Sequence, residues 1–240
     1  MMIKQGEKRG KLILIIENEK TISRNDIAPF VNSEYVKIKN VEKLEYGSFK
    51  GFLSLEKLIL TRVKNIGDEA FCDCKNIVSV GFNEGIKTIG KKAFFGCKSI
   101  TSLEFPETLT LIGAQCFRGC SSIEKIHFDS DTRELVIGDR AFAMTKEAFR
   151  SFCKDKVIDR IDLPPNLNAL GNAVFEGKDV KSLEIFAGRR GHAAGAFNSI
   201  QCEKLILSYD NGSPFCDSDF YAVPDDDFIW SMVSEEGSNG

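Results

Sequence analysis

The sequence predicts an α/β solenoid of stacked parallel turns, and three observations carry that prediction. A unit of about 23 residues recurs, each copy is followed by a segment with apolar residues at its first, fourth and sixth positions, and a glycine keeps one place in every well-kept copy. The 240 residues are 42% hydrophobic and 28% charged, the balance of a globular chain with a core to bury.

Residues 1–40 read as an N-terminal cap. Lys4, Lys8, Arg9 and Lys11 would serve as the basic start of a secretory leader, but the apolar run Leu12 to Ile16 is five residues long, where a leader needs about 7 to 15. Such a run suits a strand. Ser23-Arg24-Asn25-Asp26 has the form of a helix start, and Val36 with Ile38 that of a worn strand.

Repeats occupy residues 41–208. Ile66-Gly67-Asp68-Glu69-Ala70-Phe71 is answered by Ile89-Gly90-Lys91-Lys92-Ala93-Phe94 and Ile112-Gly113-Ala114-Gln115-Cys116-Phe117, so that Phe71, Phe94 and Phe117 stand 23 residues apart. More worn copies end at Phe49, Phe142, Phe175 and Phe197, which makes about seven units, mostly of 22–25 residues. The segments that follow, such as Ile77/Val80/Phe82, Ile100/Leu103/Phe105 and Ile123/Ile126/Phe128, carry the L-x-x-L-x-L strand pattern. A unit this short cannot close a core alone, so each must lay its strand beside the next and share one interior. Gly67, Gly90, Gly113, Gly138 and Gly171 mark a turn needing either positive φ or close backbone approach.

The rhythm I-G-x-x-A-F-x-G-C-x-S-I-x-x-[IL]-x-[FL]-P resembles the BspA-type leucine-rich repeats. This resemblance implies a leucine-rich repeat solenoid with a curved parallel sheet, and with short helices, turns and loops on the convex side. It implies a binding surface rather than any one activity, as in adhesion and cell-surface interaction proteins of microbes and parasitic protists.

Two departures from the rhythm stand out. Sixteen positions separate Phe142 from Ile158, against six from Phe71 to Ile77, so an insertion at about 143–154 is expected, with a short helix around Met144 to Cys153. It serves either as a second contact site or as plain elaboration. The last two units lack the cysteine, a drift toward a C-terminal cap and acidic tail over 209–240. Residues 211–240 hold seven acids and no Lys or Arg. Phe215, Phe220, Tyr221, Phe228 and Trp230 there form either an apolar lid or, around Asp225 to Trp230, a linear binding motif.

If the first, fourth and sixth positions point inward, the residues between them face out from the sheet. One column then runs Lys57, Ser79, Ser102, Lys125, Arg160, Ser182, Lys204, and its neighbour Ile59, Gly81, Glu104, His127, Asp162, Glu184, Ile206. Glu104, Lys125, His127, Arg160, Asp162 and Glu184 are the candidate contacts. These charges either meet a polar partner or satisfy one another, Lys125 with Glu104 and Arg160 with His127 and Glu184, in exposed pairs worth about 0 to 1 kcal/mol each.

Other chemistry is poorly supplied. The chain has 32 Lys and Arg against 35 Asp and Glu, a net charge of −3, which does not suit a nucleic-acid binder. Cys74, Cys97 and Cys120 share one repeat position and are expected to be buried. Neither Cys72 with Cys74 nor Cys116 with Cys120 has the second pair that a zinc site needs, and Arg133 breaks the opening of a calcium loop at Asp129, so no metal is expected. An enzyme would have to use His127 or His192, with no nucleophile elbow or oxyanion site in view. The expectation is a noncatalytic protein-binding module without cofactor, monomeric and not membrane-inserted, since no stretch approaches about 20 apolar residues. An intracellular structural scaffold and an enzyme are the rivals. The absence of a leader points to the cytoplasm, with leaderless export to the cell surface as the alternative.

Overall fold

The computed structural model describes residues 2–129, 133–144, 158–164, 166–187, 196–197, 200–209 and 231–232. A hairpin of β1 (Met2–Lys8) and β2 (Lys11–Glu17) opens the fold, followed by β3 (Thr21–Ile22) and α1 (Arg24–Ile27). The long strands β4 (Tyr35–Leu44) and β5 (Lys57–Ile66) come next. Short pairs then alternate, β6 (Ser79–Phe82) with β7 (Thr88–Ile89), β8 (Ser102–Phe105) with β9 (Leu111–Ile112), and β10 (Lys125–Phe128) with β11 (Arg133–Ile137). Past the insertion lie β12 (Ile158–Asp162), β13 (Asn166–Leu170), β14 (Asp179–Ala187), β15 (Gln201–Tyr209) and β16 (Ser231–Met232).

Among the described residues every rung-to-rung pairing is parallel, and the β1–β2 hairpin is antiparallel. The parallel register begins at β2, where Ile13 faces Tyr35, inside the stretch expected as a cap. The concave face is built from two ladders, β2-β4-β5-β6 and β8-β10-β12-β14-β15-β16, which meet between β6 and β8. Across that junction the rings of Phe82 and Phe105 still stack at 5.3 Å.

A second parallel sheet, absent from the sequence-based expectation, joins Ile22, Leu44, Ile66, Ile89, Ile112, Ile137 and Leu170 rung by rung. β4 and β5 pass through both sheets, turning the corner at Asn40 (φ 53°) and Arg62 (φ 54°). Asn tolerates the left-handed region better than most residues, and the Asn40 amide steadies this corner by donating to Asn18 Oδ1 at 2.9 Å.

The glycine column is explained by crowding and not by φ. An ideal Cβ on Gly113 would lie 2.6 Å from the carbonyl carbon of Gly90, and one on Gly90 2.6 Å from the Asp68 nitrogen. Left-handed φ falls two residues later, at Glu69, Lys92, Gln115 and Arg140. The Ala-Phe segment then closes as a turn, not as a helix. Among the described residues, helical structure is limited to α1 and a 3-10 turn at Ala28–Phe30, so turns replace most of the short convex helices expected. α1 begins where the sequence suggested, because the Asp26 carboxylate accepts from both the Ser23 N–H and hydroxyl at 2.8 Å. These bonds hold the Asp26 carboxyl below its ordinary range, the backbone one contributing most.

The interior is a pair of aromatic columns. Phe49, Phe71, Phe94, Phe117, Phe142 and Phe175 stack with centroids 5.0 to 5.5 Å apart, and Phe82, Phe105 and Phe128 form the second column. Beside them the thiols of Cys74, Cys97 and Cys120 donate to the carbonyls of Phe49, Phe71 and Phe94 at 3.0, 3.1 and 3.2 Å. Lys178 follows Phe175 by three residues, as Cys120 follows Phe117. It is 5% exposed and its Nζ donates to the Cys120 carbonyl at 3.0 Å.

The insertion, apart from buried Ala143 and Met144, lies outside the described residues, as do the Asp225 to Trp230 motif and the acidic tail apart from Tyr209 and β16.

Candidate binding face

Strand register fixes the two outward columns. Lys125 lies between Ser102 and Arg160, and His127 between Glu104 and Asp162; the next strand continues these as Ser182 and Glu184. The buried residues Leu103, Phe105, Ile126 and Phe128 alternate with exposed Ser102, Glu104, Lys125 and His127. That alternation is what turns the candidate residues outward, because successive side chains leave a strand on opposite faces. Arg160, Asp162 and Glu184 take their places by register.

One pairing considered in the sequence, Lys125 with Glu104, is not formed. Lys125 is flanked across the ladder by Ser102 and the like-charged Arg160, and Glu104 by His127. No ion pair joins Lys125 to Glu104. Instead Lys125 acts on Asp159, whose carboxyl is held below its ordinary range first by the hydrogen bond from Lys181 at 2.7 Å and then by the charges of Lys181 and Lys125. Among the described residues, the side chains of Glu104 and His127 make no hydrogen bond or ion pair, so their polar atoms face solvent.

The face is open. A groove of about 480 Å³ lies at the corner lined by Asn18, Asn40, Arg62 and Lys64, away from both columns. Among the described residues, no three His, Cys, Asp or Glu side chains are grouped to hold a metal, and no helix is long and apolar enough to cross a membrane. Burial pushes the Cys74 and Cys120 thiols up to about 12, and Cys72 up to about 11 with help from Asp73. None of these is a nucleophile near neutral pH. His192 lies outside the described residues.

The sequence-based columns started at Lys57 and Ile59 and so missed the two strands before them. Register continues the columns onto Tyr35 and Lys37 of β4, and Ile13 and Ile15 of β2. The alternation in Leu12 to Ile16 was obscured by its unbroken apolar run.

A curved stack of parallel rungs with an exposed polar sheet face defines a leucine-rich repeat solenoid. The BspA type leucine rich repeat region matches this sequence in six copies over residues 42–148 and 147–216, and the chain belongs to that family. No curated protein matches it in sequence. Solved structures similar to it include the leucine rich repeat protein of T. pallidum, at 19% identity and TM-score 0.42 over 86% of this chain and 82% of that one. A leucine rich cell surface protein of Faecalibacterium prausnitzii A2-165 shows 16% identity and TM-score 0.40 over 85% and 67%. The pneumococcal vaccine antigen PcpA shows 13% and 0.34 over 96% and 82%.

Proposed function

We propose that the chain is a noncatalytic recognition module that binds a protein partner through the concave sheet. The observation that carries this reading is the in-register row Glu104, His127, Asp162, Glu184 beside Lys125 and Arg160, in which Glu104, Lys125 and His127 are exposed. Solenoids present such faces as extended binding surfaces, and rim and face charges set the rate and specificity of encounter more than raw affinity. The triple variant Glu104→Lys/Asp162→Lys/Glu184→Lys tests it in affinity capture from cell lysate and from extracellular matrix proteins. A partner captured by the parent chain and lost by the folded variant supports the reading. A partner kept by the variant removes it from the acidic row.

The module works in a reducing compartment in this reading, a placement supported by the free thiols of Cys72, Cys74, Cys97, Cys116 and Cys120. Labelling of intact cells with an impermeant biotin reagent checks it: strong labelling of this chain would place it on the surface instead.

A further inference from the structure

The concave face changes sign along its length. In the central strands the second column holds Glu104, His127, Asp162 and Glu184. Past Gly81 toward the N-terminus the same column holds Ile59, Lys37, Ile15 and, on β1, Lys4. The first column there holds Lys57, Tyr35 and Ile13, and Lys39 follows Lys37 on the same face. Glu17, opposite Lys39, is the acid in this part of the face.

These cations are available. Lys4, Lys37 and Lys57 are exposed and Lys39 half-buried, and among the described residues none of the four makes an ion pair. Lys11 is different: it is neutralised by Glu56 and lies 5.3 Å over the Tyr35 ring, which fixes that ring at the edge of the patch. Between the lysines Ile13, Ile15 and Ile59 are only half-buried and leave apolar surface open. Gly81 supplies no side chain beside Ile59 and leaves the floor of the sheet bare there.

We infer that this N-terminal half of the concave face binds an acidic peptide segment in the polyproline II conformation, its apolar side chains three residues apart, laid across β2, β4 and β5. The inference rests on the reading of the concave sheet as the recognition face and specifies the partner's chemistry. Ile15 and Ile59 are two strands apart, roughly 10 Å at about 4.8 Å per strand. A polyproline II chain covers that distance in about three residues at roughly 3.1 Å each and returns every third side chain to the same face. Lys37 lies between the two isoleucines, so an acid between two apolar residues of the peptide meets it. The isoleucines decide against a nucleic acid or sulfated glycan, for which cations alone would serve.

A phage library of random dodecapeptides, selected against the full chain, tests the inference. The variants are Lys37→Glu/Lys57→Glu, Ile15→Ser/Ile59→Ser, Glu104→Lys and, as a charge-reversal control in the exposed turn after Cys97, Lys98→Glu, each checked for folding by its thermal melt. The expected consensus has acids set between apolar residues three apart. A synthetic peptide of that consensus should bind at least tenfold more weakly to the lysine and isoleucine variants, and unchanged to Lys98→Glu. A basic consensus that needs Glu104 overturns this inference and leaves the concave-face function standing. No enrichment by the parent chain overturns both. A heparin oligosaccharide that displaces the peptide completely, together with full binding to Ile15→Ser/Ile59→Ser, also overturns it, because the patch would then be a plain anion binder.

Discussion

Phe94 lies between Phe71 and Phe117 with centroids 5.1 and 5.2 Å away, and Phe82 meets it edge-on at 5.6 Å. Its ring is fully buried, so truncation leaves a cavity that the neighbouring rungs, tied by their own ladders, cannot collapse into. Phe94→Ala should cost about 3 to 5 kcal/mol, read from urea denaturation. A loss under about 1 kcal/mol would mean that the aromatic column does not carry the stack. The cysteines next to that column give a second test. With thiols pushed up to about 12 by burial, Cys74 and Cys120 are ionised to only about one part in 10⁴ at pH 8. Iodoacetamide at that pH should leave both unmodified in the folded chain and alkylate both in guanidinium, as peptide mapping will show; labelling of the native protein would contradict their burial. The sign of the linkage follows. Unfolded thiols ionise near 8.5, so the stability tied to these two is whole below that pH and is lost as pH rises toward 12. Their common fate was legible in the sequence, because a 23-residue spacing gives one environment to every copy. The role of Lys178 was not, since a lysine in a cysteine's place reads as drift until its hydrogen bond to the Cys120 carbonyl is seen.

At the scale of elements, β1 separates what pattern can reveal from what it cannot. Its sequence, Met-Ile-Lys-Gln-Gly-Glu-Lys, holds too few apolar residues to signal a strand, and its lysines resemble a leader. Yet the register sets Ile3 opposite Ile16 and Gln5 opposite Leu14, so β1 covers the flank of the first parallel strand. Polar side chains on an edge strand blunt its tendency to pair with other chains. Deleting residues 1–9 should bare β2, whose alternation is far more apolar, and drive association visible by light scattering at concentrations where the parent stays monodisperse. A monodisperse truncated chain would show that β1 does not guard this edge. The second sheet was hidden for a related reason. Thr88–Ile89 and Leu111–Ile112 are two residues long and offer no alternation to read, and the buried isoleucine in each was visible only as part of the repeat. The central outward columns were legible because repeat phase and strand period agree there. Their N-terminal continuation was not, since β2 and β4 precede the first Ala-Phe signature.

For the whole molecule, a repeat of constant geometry means that each rung meets only its neighbours, so stability is close to a sum of rung and interface terms. Removing Lys91–Gly113 takes out one complete rung with β8 and β9 and joins Gly90 to Ala114, the residue that matches Lys91 in the next copy. Phe71 then stacks on Phe117, Cys74 stands next to Cys120, and β6 becomes the neighbour of β10 with Ser79 facing Lys125. The shortened chain should keep its circular-dichroism spectrum and a cooperative melt at a modestly lower temperature. Deleting residues 91–101, half a rung, sets a turn against a strand and should abolish the melt. If both deletions unfold the chain, the solenoid depends on contacts beyond neighbouring rungs. If both fold, the inward phase of the apolar positions is not what specifies it. The full-rung deletion also carries a functional reading, because it removes Glu104 and brings the lysine-rich N-terminal face one strand closer to His127. Binding by the N-terminal patch should survive this loss, since β2, β4 and β5 keep their mutual register when a rung beyond them is removed.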